Sequence, residues 1–186
     1  MLYFQRLKSR ILLTIRIDMK KLIYLVLLLT LFSSLAVFAQ QKPVTIILLR
    51  HAEKLPDGKD PELSSKGLEF AQRLAKIFAE NTVNAAYTTH YKRTMETITP
   101  LAALSRLKFI IYDPAKIDQL VKMLGTRGGQ TVLIAGHSNT VNTIHNALFN
   151  NTKMQPLGED EYRKVFIITY YPGDPSKSTS LKLDLN

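Results

Sequence analysis

At 186 residues, with 46% hydrophobic and 22% charged side chains, the chain suffices for one compact domain, is short for two, and lacks the composition of a disordered chain. The absence of cysteine excludes disulfides, thiolate catalysis, cysteine-ligated zinc and an acylated lipoprotein cysteine. The net charge of +10 gathers at the start: residues 1–39 hold six basic side chains and one acid, and the remaining 19 basic and 14 acidic residues leave a net of +5, which suits a small anionic ligand.

The first element is an address. Met19-Lys20-Lys21 opens an apolar run from Leu22 to Leu29 that continues through Leu31 and Phe32. Ser33-Ser34 and Leu35-Ala36-Val37-Phe38-Ala39 then lead to Gln40-Gln41. A basic start, a short apolar stretch and a small residue before a polar junction predict a secretory signal peptide cleaved after Ala39, with Met19 as the start residue. The domain reading is therefore 1–39 as extension plus signal peptide and 40–186 as a single domain, periplasmic or secreted. The alternative is an uncleaved anchor, because the run lies at the short end of the spanning range, and only then is a membrane partner expected.

Val44–Leu49 is a continuous apolar run and predicts a buried strand ending at Arg50-His51. After a polar loop with Pro56, Asp57, Gly58 and Pro61, Ser64 or Ser65 caps a helix with Leu68, Ala71, Ala75 and Phe78 on its inner face. Val83–Thr88 reads as a strand, and a helix from about Lys92 to Ser105 carries Pro100, where a kink is expected. Lys108–Tyr112 is the next strand. Asp113-Pro114 starts a helix with Ile117, Leu120, Val121 and Leu124 inward, closed by Gly125. Thr131–Ala135 is a buried strand ending in Gly136-His137, followed by a helix with Val141, Ile144 and Leu148 inward. His145 shares that face and reads as a core histidine. Val165–Tyr170 and the alternating Leu181, Leu183 and Leu185 give late strands. Strands separated by helices predict an α/β domain, a largely parallel central sheet with helices on both faces. Ligands of such sheets sit beyond the carboxyl ends of the strands.

Two of those ends carry Arg50-His51 and Gly136-His137, with Ser138 and Asn139 at the mouth of the following helix and Arg93 at the start of another. Two guanidinium forks and two imidazoles at one sheet edge make an anion site that contains a nucleophile. Guanidinium matches phosphate oxygens bidentately, and a neutral imidazole nitrogen can attack phosphorus near neutral pH. No His-x-x-x-His or His-x-Asp cluster presents ligands at metal spacing, so no metal or other cofactor is expected. No basic stripe interleaved with aromatics occurs, so no nucleic-acid partner is expected.

These residues stand in motifs. Leu49-Arg50-His51-Ala52-Glu53 resembles the Arg-His-Gly signature of the histidine phosphatase superfamily, also called phosphoglycerate-mutase-like, with Ala52 in place of the glycine. Leu63-Ser64-Ser65-Lys66-Gly67 is similar to its Leu-Thr-x-x-Gly element. Tyr87 to Thr97, through Arg93, resembles its Ser-Ser-x-x-x-Arg element, and Ala135-Gly136-His137-Ser138-Asn139 its second-histidine motif. The four occur in the family's order. The resemblance implies a phosphoglycerate-mutase-like fold, a phosphorylated nucleophile at His51, and Arg50, Arg93 and His137 as holders of the phosphoryl oxygens. It implies a small phosphorylated substrate and hydrolysis of phosphomonoesters or phosphoramidates. The general acid has two candidates. Asp113 falls after the strand where family members often place a carboxylate, yet before Pro114 it is equally a helix cap. Glu53 follows the nucleophile by two residues and serves either as acid or, with Ser138 and Asn139, in substrate binding. The rival readings are a non-catalytic phospho-ligand binder and a phosphomutase, the latter disfavoured because the chain lacks long insertions to enclose a substrate.

Overall fold

The computed structural model describes residues 19–38, 42–149 and 153–185. They belong to two units divided between Gln40 and Gln41. In the first, a helix α1 (Met19–Phe38) leaves Ile23, Leu25, Val26, Leu27 and Leu28 exposed. Residues 1–18 and the junction after Ala39 lie outside the described residues.

The second unit alternates strands and helices: β1 (Val44–Arg50), α2 (Ser65–Ile77), β2 (Ala85–Thr88), α3 (Lys92–Leu104), β3 (Phe109–Ile111), α4 (Ile117–Gly125), β4 (Thr131–Gly136), α5 (Ser138–Ala147), β5 (Lys164–Tyr170) and β6 (Thr179–Asp184). They form one six-stranded sheet in the order β3-β2-β4-β1-β5-β6. The pairs β2·β3, β2·β4 and β1·β4 are parallel, while β5 and β6 are antiparallel additions on one edge. The fold is thus the largely parallel, helix-covered sheet of the phosphoglycerate-mutase-like class.

The continuous apolar runs are explained by burial on both faces, since alternate side chains of a strand point to opposite sides. From β1, Val44, Ile46 and Leu48 pack with Ile117, Leu120 and Leu124 of α4 and with Val141 and Ile144 of α5. Ile47 and Leu49 pack on the other face with Phe70, Ala71 and Leu74 of α2 and Ile98, Leu101 and Ala102 of α3. His145 is a core residue as the periodicity suggests, stacked on Phe149 at 4.7 Å.

Two expectations are corrected. Leu68 is 52% exposed; Ala71 and Ala75 are buried and Phe78 packs against the same core as expected, but Gly67, Phe70 and Leu74 complete the inner face of α2 in place of Leu68. The cause is Gly67, which packs under the Glu53 carbonyl, where an added Cβ would approach that oxygen to 2.1 Å. Gly67 therefore faces inward and turns Leu68 out. The second correction concerns Asp113. It does not start a helix: α4 begins at Ile117, and Asp113 Oδ1 instead accepts the Ala115 N–H at 2.9 Å in a local Asx turn.

Candidate active site

The register of the sheet assembles the site. Arg50 is paired with Gly136 across β1 and β4, so the residues that follow them, His51 and His137, leave the sheet side by side. Their rings meet edge to face with centroids 5.6 Å apart. The His51 N–H donates to the Gly136 carbonyl at 2.9 Å, which fixes the turn out of β1. On the far side of β4, β2 delivers Thr89, and the short link from Thr89 to α3 places Arg93 in the first turn of that helix. Arg50, His51, Arg93, His137, Ser138 and Asn139 all line one cavity of about 650 Å³, with Tyr91, Pro114 and Ala115 on its wall. α5 opens at Ser138, and Ser138, Asn139 and Thr140 of its first turn line the same space, so its positive dipole end faces the cavity.

Each histidine has a defined tautomer. His51 Nδ1 lies 2.8 Å from the Ala52 carbonyl; a carbonyl only accepts, so Nδ1 carries the hydrogen and Nε2 of the neutral ring keeps its lone pair. Arg93 Nη2 reaches His137 Nδ1 at 3.5 Å, and because guanidinium only donates, that nitrogen is the acceptor. His137 Nε2 then donates to Thr89 Oγ1 at 2.9 Å. Thr89 Oγ1 lies 2.9 Å from Thr94 Oγ1, which donates to the Tyr91 carbonyl at 2.8 Å. All donors in this chain run one way, and the ring orientation follows from it.

Burial is the main reason both rings stay neutral. His51, only 3% exposed, is pushed down to about 3 by desolvation, reinforced by the charge of Arg50 and by His137 and Arg93, and opposed by the bond to Ala52. His137 falls to about 4, again chiefly by desolvation and then by Arg93 and Arg50, with Asp60 opposing. Two guanidiniums beside two neutral imidazoles, His51 buried and His137 half-buried, leave a positive cavity floor without a buried anion. The Nε atoms of both Arg50 and Arg93 are buried without a hydrogen-bond partner, which is costly unless a ligand acceptor meets them.

Neighbouring segments hold these groups in place. Thr97 accepts the Ala52 N–H at 2.8 Å and donates to the Arg93 carbonyl at 2.6 Å, so one hydroxyl couples the nucleophile turn to the helix of Arg93. Ala52 is wholly buried and packs in the α2–α3 core; its methyl is accommodated there. Arg50 Nη1 donates to the Gly158 and Glu159 carbonyls at 2.5 and 3.2 Å, and its guanidinium lies 4.3 Å over the Tyr162 ring. Arg93 stacks on Tyr91 at 4.5 Å and faces Asp60 at 3.6 Å.

Two sequence candidates stand apart from this cavity. Glu53 accepts the Ser64 hydroxyl at 2.9 Å, and Ser64 caps α2; its side chain lines a second cleft, of about 370 Å³, with Lys66, Phe70 and Arg163. Asp113 is exposed and paired with Lys116 at 3.5 Å, and it is not among the lining residues of the histidine cavity. Conversely, Tyr162, Asp60, Thr97 and Glu159 belong to the site and had no assigned role in the sequence. Thr97 stands within the quoted Arg93 motif, so its spacing was the available signal. The others lie on loops without periodicity. Among the described residues no cluster of three or more His, Asp or Glu side chains is placed to hold a metal ion.

Comparison with known proteins agrees with this geometry. The sequence model of the histidine phosphatase superfamily (branch 1) matches residues 46–116. No protein of curated function matches the chain by sequence. Among solved structures, the protein histidine phosphatase SixA complexed with tungstate aligns with a TM-score of 0.62 at 13% identity, over 75% of this chain and 96% of that one. The phosphoglycerate mutase from Bacillus anthracis str. Sterne aligns at 0.61 and 16% identity, over 77% and 94% respectively. A mycobacterial glucosyl-3-phosphoglycerate phosphatase aligns at 0.60 and 13%, over 78% and 99%. At such identities the likeness is one of fold. The match to the histidine phosphatase model spans the strand end of Arg50 and His51 and the helix of Arg93, and the likeness of fold to these solved structures extends over about three quarters of the chain.

Proposed function

We propose that this protein is a metal-independent phosphatase that hydrolyses phosphomonoesters or phosphoramidates of small molecules through a phosphohistidine on His51. The observation that carries this reading is the state of His51: buried, neutral, and held through Nδ1 by the Ala52 carbonyl so that the lone pair is on Nε2. In the first step Nε2 forms a bond to phosphorus while the bond to the leaving group breaks with its electron pair. The ring becomes cationic and is stabilised by the Nδ1–H bond to Ala52. Arg50, Arg93 and the dipole of α5 neutralise the equatorial oxygens, which in a loose phosphoryl-transfer transition state is most of what catalysis requires. Water then cleaves the P–N bond. An anion in the cavity also favours protonation of His137 at Nδ1, converting it from an acceptor into a donor toward the phosphoryl group. We further propose that residues 19–39 direct export to the periplasm or medium.

The test is turnover of a chromogenic aryl phosphate by the purified protein. The expected result is activity that survives EDTA, is inhibited by vanadate and is abolished in His51→Ala. A second reading, a phospho-ligand binder without turnover, is favoured by one observation: neither Asp113 nor Glu53 lines the cavity. Tight vanadate binding by wild type, with no release of phosphate from any ester or phosphoramidate, would select it.

A further inference from the structure

Resting on the phosphohistidine reading, the geometry points to Glu159 as the base that takes the proton from the water hydrolysing phospho-His51. Among the described residues, Glu159 is the one carboxylate lining the histidine cavity. Its rivals are engaged elsewhere: Glu53 with Ser64 and Asp113 with Ala115 and Lys116. Asp60 accepts the Lys92 N–H that opens α3, at 3.0 and 3.3 Å from its two oxygens, and pairs with Arg93.

The turn that carries Glu159 leaves its carboxylate available. Gly158 N–H donates to the Glu161 carboxylate at 2.8 Å and the Glu161 N–H returns to the Gly158 carbonyl at 3.2 Å, so the turn is tied by Glu161. Arg50, meanwhile, fastens the turn to the site through the Gly158 and Glu159 carbonyls. Glu159 Oε2 consequently lies 3.7 Å from Arg50 Nη2, with the glutamate side chain 96% exposed. His51, by contrast, is 3% exposed. Nucleophile on the floor and carboxylate at the rim, with the phosphoryl group held by Arg50 between them, set up attack from the solvent side, opposite the P–N bond. The water oxygen bonds to phosphorus as the P–N pair returns to Nε2, and Nδ1 keeps its hydrogen on Ala52. One water proton passes to Glu159 and on to solvent, and inorganic phosphate departs.

Glu159→Gln keeps the size and exposure of the side chain and should fold normally. With an aryl phosphate labelled in its phosphoryl group and rapid alkaline quenching, the variant should load His51 at the wild-type rate and lose the label about a hundredfold more slowly. Phosphoenzyme then accumulates in the steady state, and Glu159→Asp recovers part of the rate. Hydrolysis of the loaded Gln variant at the wild-type rate would overturn the assignment. So would equal slowing of loading and hydrolysis, the signature of an effect exerted only through Arg50. A wild-type protein that never takes the label onto His51 refutes the phosphohistidine reading itself, and the base with it.

Discussion

At the scale of single residues, the site runs on charge held against burial. Both histidines are depressed in the folded chain, to about 3 and about 4, while in the unfolded chain they titrate near 6.5. Between those limits the unfolded state binds more protons, so stability is complete above about pH 6.5 and falls as pH is lowered toward the folded values. Each ring contributes a slope of up to about 1.4 kcal/mol per pH unit. Urea midpoints at pH 7, 6 and 5 should therefore drop, less steeply in His51→Ala, and added phosphate should restore acid stability by binding the folded state. A midpoint independent of pH over this range would contradict the neutral, desolvated state of the rings. The arginines differ from lysines in the same setting. Arg50 divides its donors between two carbonyls, the Tyr162 face and an unpaired Nε, a pattern no ammonium reproduces. Arg50→Lys should lower kcat/KM for an aryl phosphate by about a hundredfold, as loss of a preorganised donor does, with thermal unfolding reporting whether the fold survives.

At the scale of elements, the sheet does the positioning and the helix starts do the binding. α2 shows how closely the two are joined, because its packing face is set by the loop that follows His51. Gly67→Ala drives a methyl against the Glu53 carbonyl and should cost about 1–3 kcal/mol as overpacking, with activity falling too since the same loop holds the nucleophile turn. Leu68→Ala, one residue on and exposed, should change stability by less than about 0.5 kcal/mol. Leu74→Ala, fully buried, should cost about 2–5 kcal/mol. Urea denaturation of the three variants checks the ranking, and equal losses at Leu68 and Leu74 would mean the helix sits on a different face. This is also where sequence and structure part. The strands were legible because runs buried on both faces, such as Val44–Leu49 and Thr131–Ala135, have no other economical reading. Arg50, His51, Arg93 and His137 were legible because motif spacing and strand ends coincide at them. Leu68 misled because periodicity cannot tell which of two adjacent stripes a glycine contact selects. Asp113-Pro114 misled because an Asx turn and a helix cap use the same residues. Tyr162 and Glu159 were illegible because Arg50 recruits them from more than a hundred residues away, Glu159 through a backbone carbonyl that any sequence supplies and Tyr162 through a ring on a loop without periodicity.

At the scale of the whole molecule, the second unit contains everything the proposed chemistry uses. Arg50, His51, Arg93, His137 and the covering turn at 158–162 all follow Gln41, and among the described residues both core clusters are built from Val44 onward. Among the described residues, those lining the cavity all belong to the second unit, and the proposed role of the first unit is a separate one. Its composition supports that role: Lys20-Lys21 followed by an apolar helix through Phe38, with no acid after Asp18 until Glu53. Under the export reading proposed above, the segment acts through its positive start and apolar stretch and not through a folded surface. Removal of residues 1–39 should leave aryl phosphate turnover and the urea midpoint unchanged. In a Gram-negative host, the full chain should then be found in the periplasm, with its N-terminus at Gln40 by mass spectrometry. Leu27→Arg in the middle of the apolar stretch should retain it in the cytosol as an uncleaved chain, still active in lysates. Recovery from the membrane fraction with the N-terminal segment intact would replace the signal peptide with an anchor, and recovery of wild type from the cytosol would remove the export reading altogether.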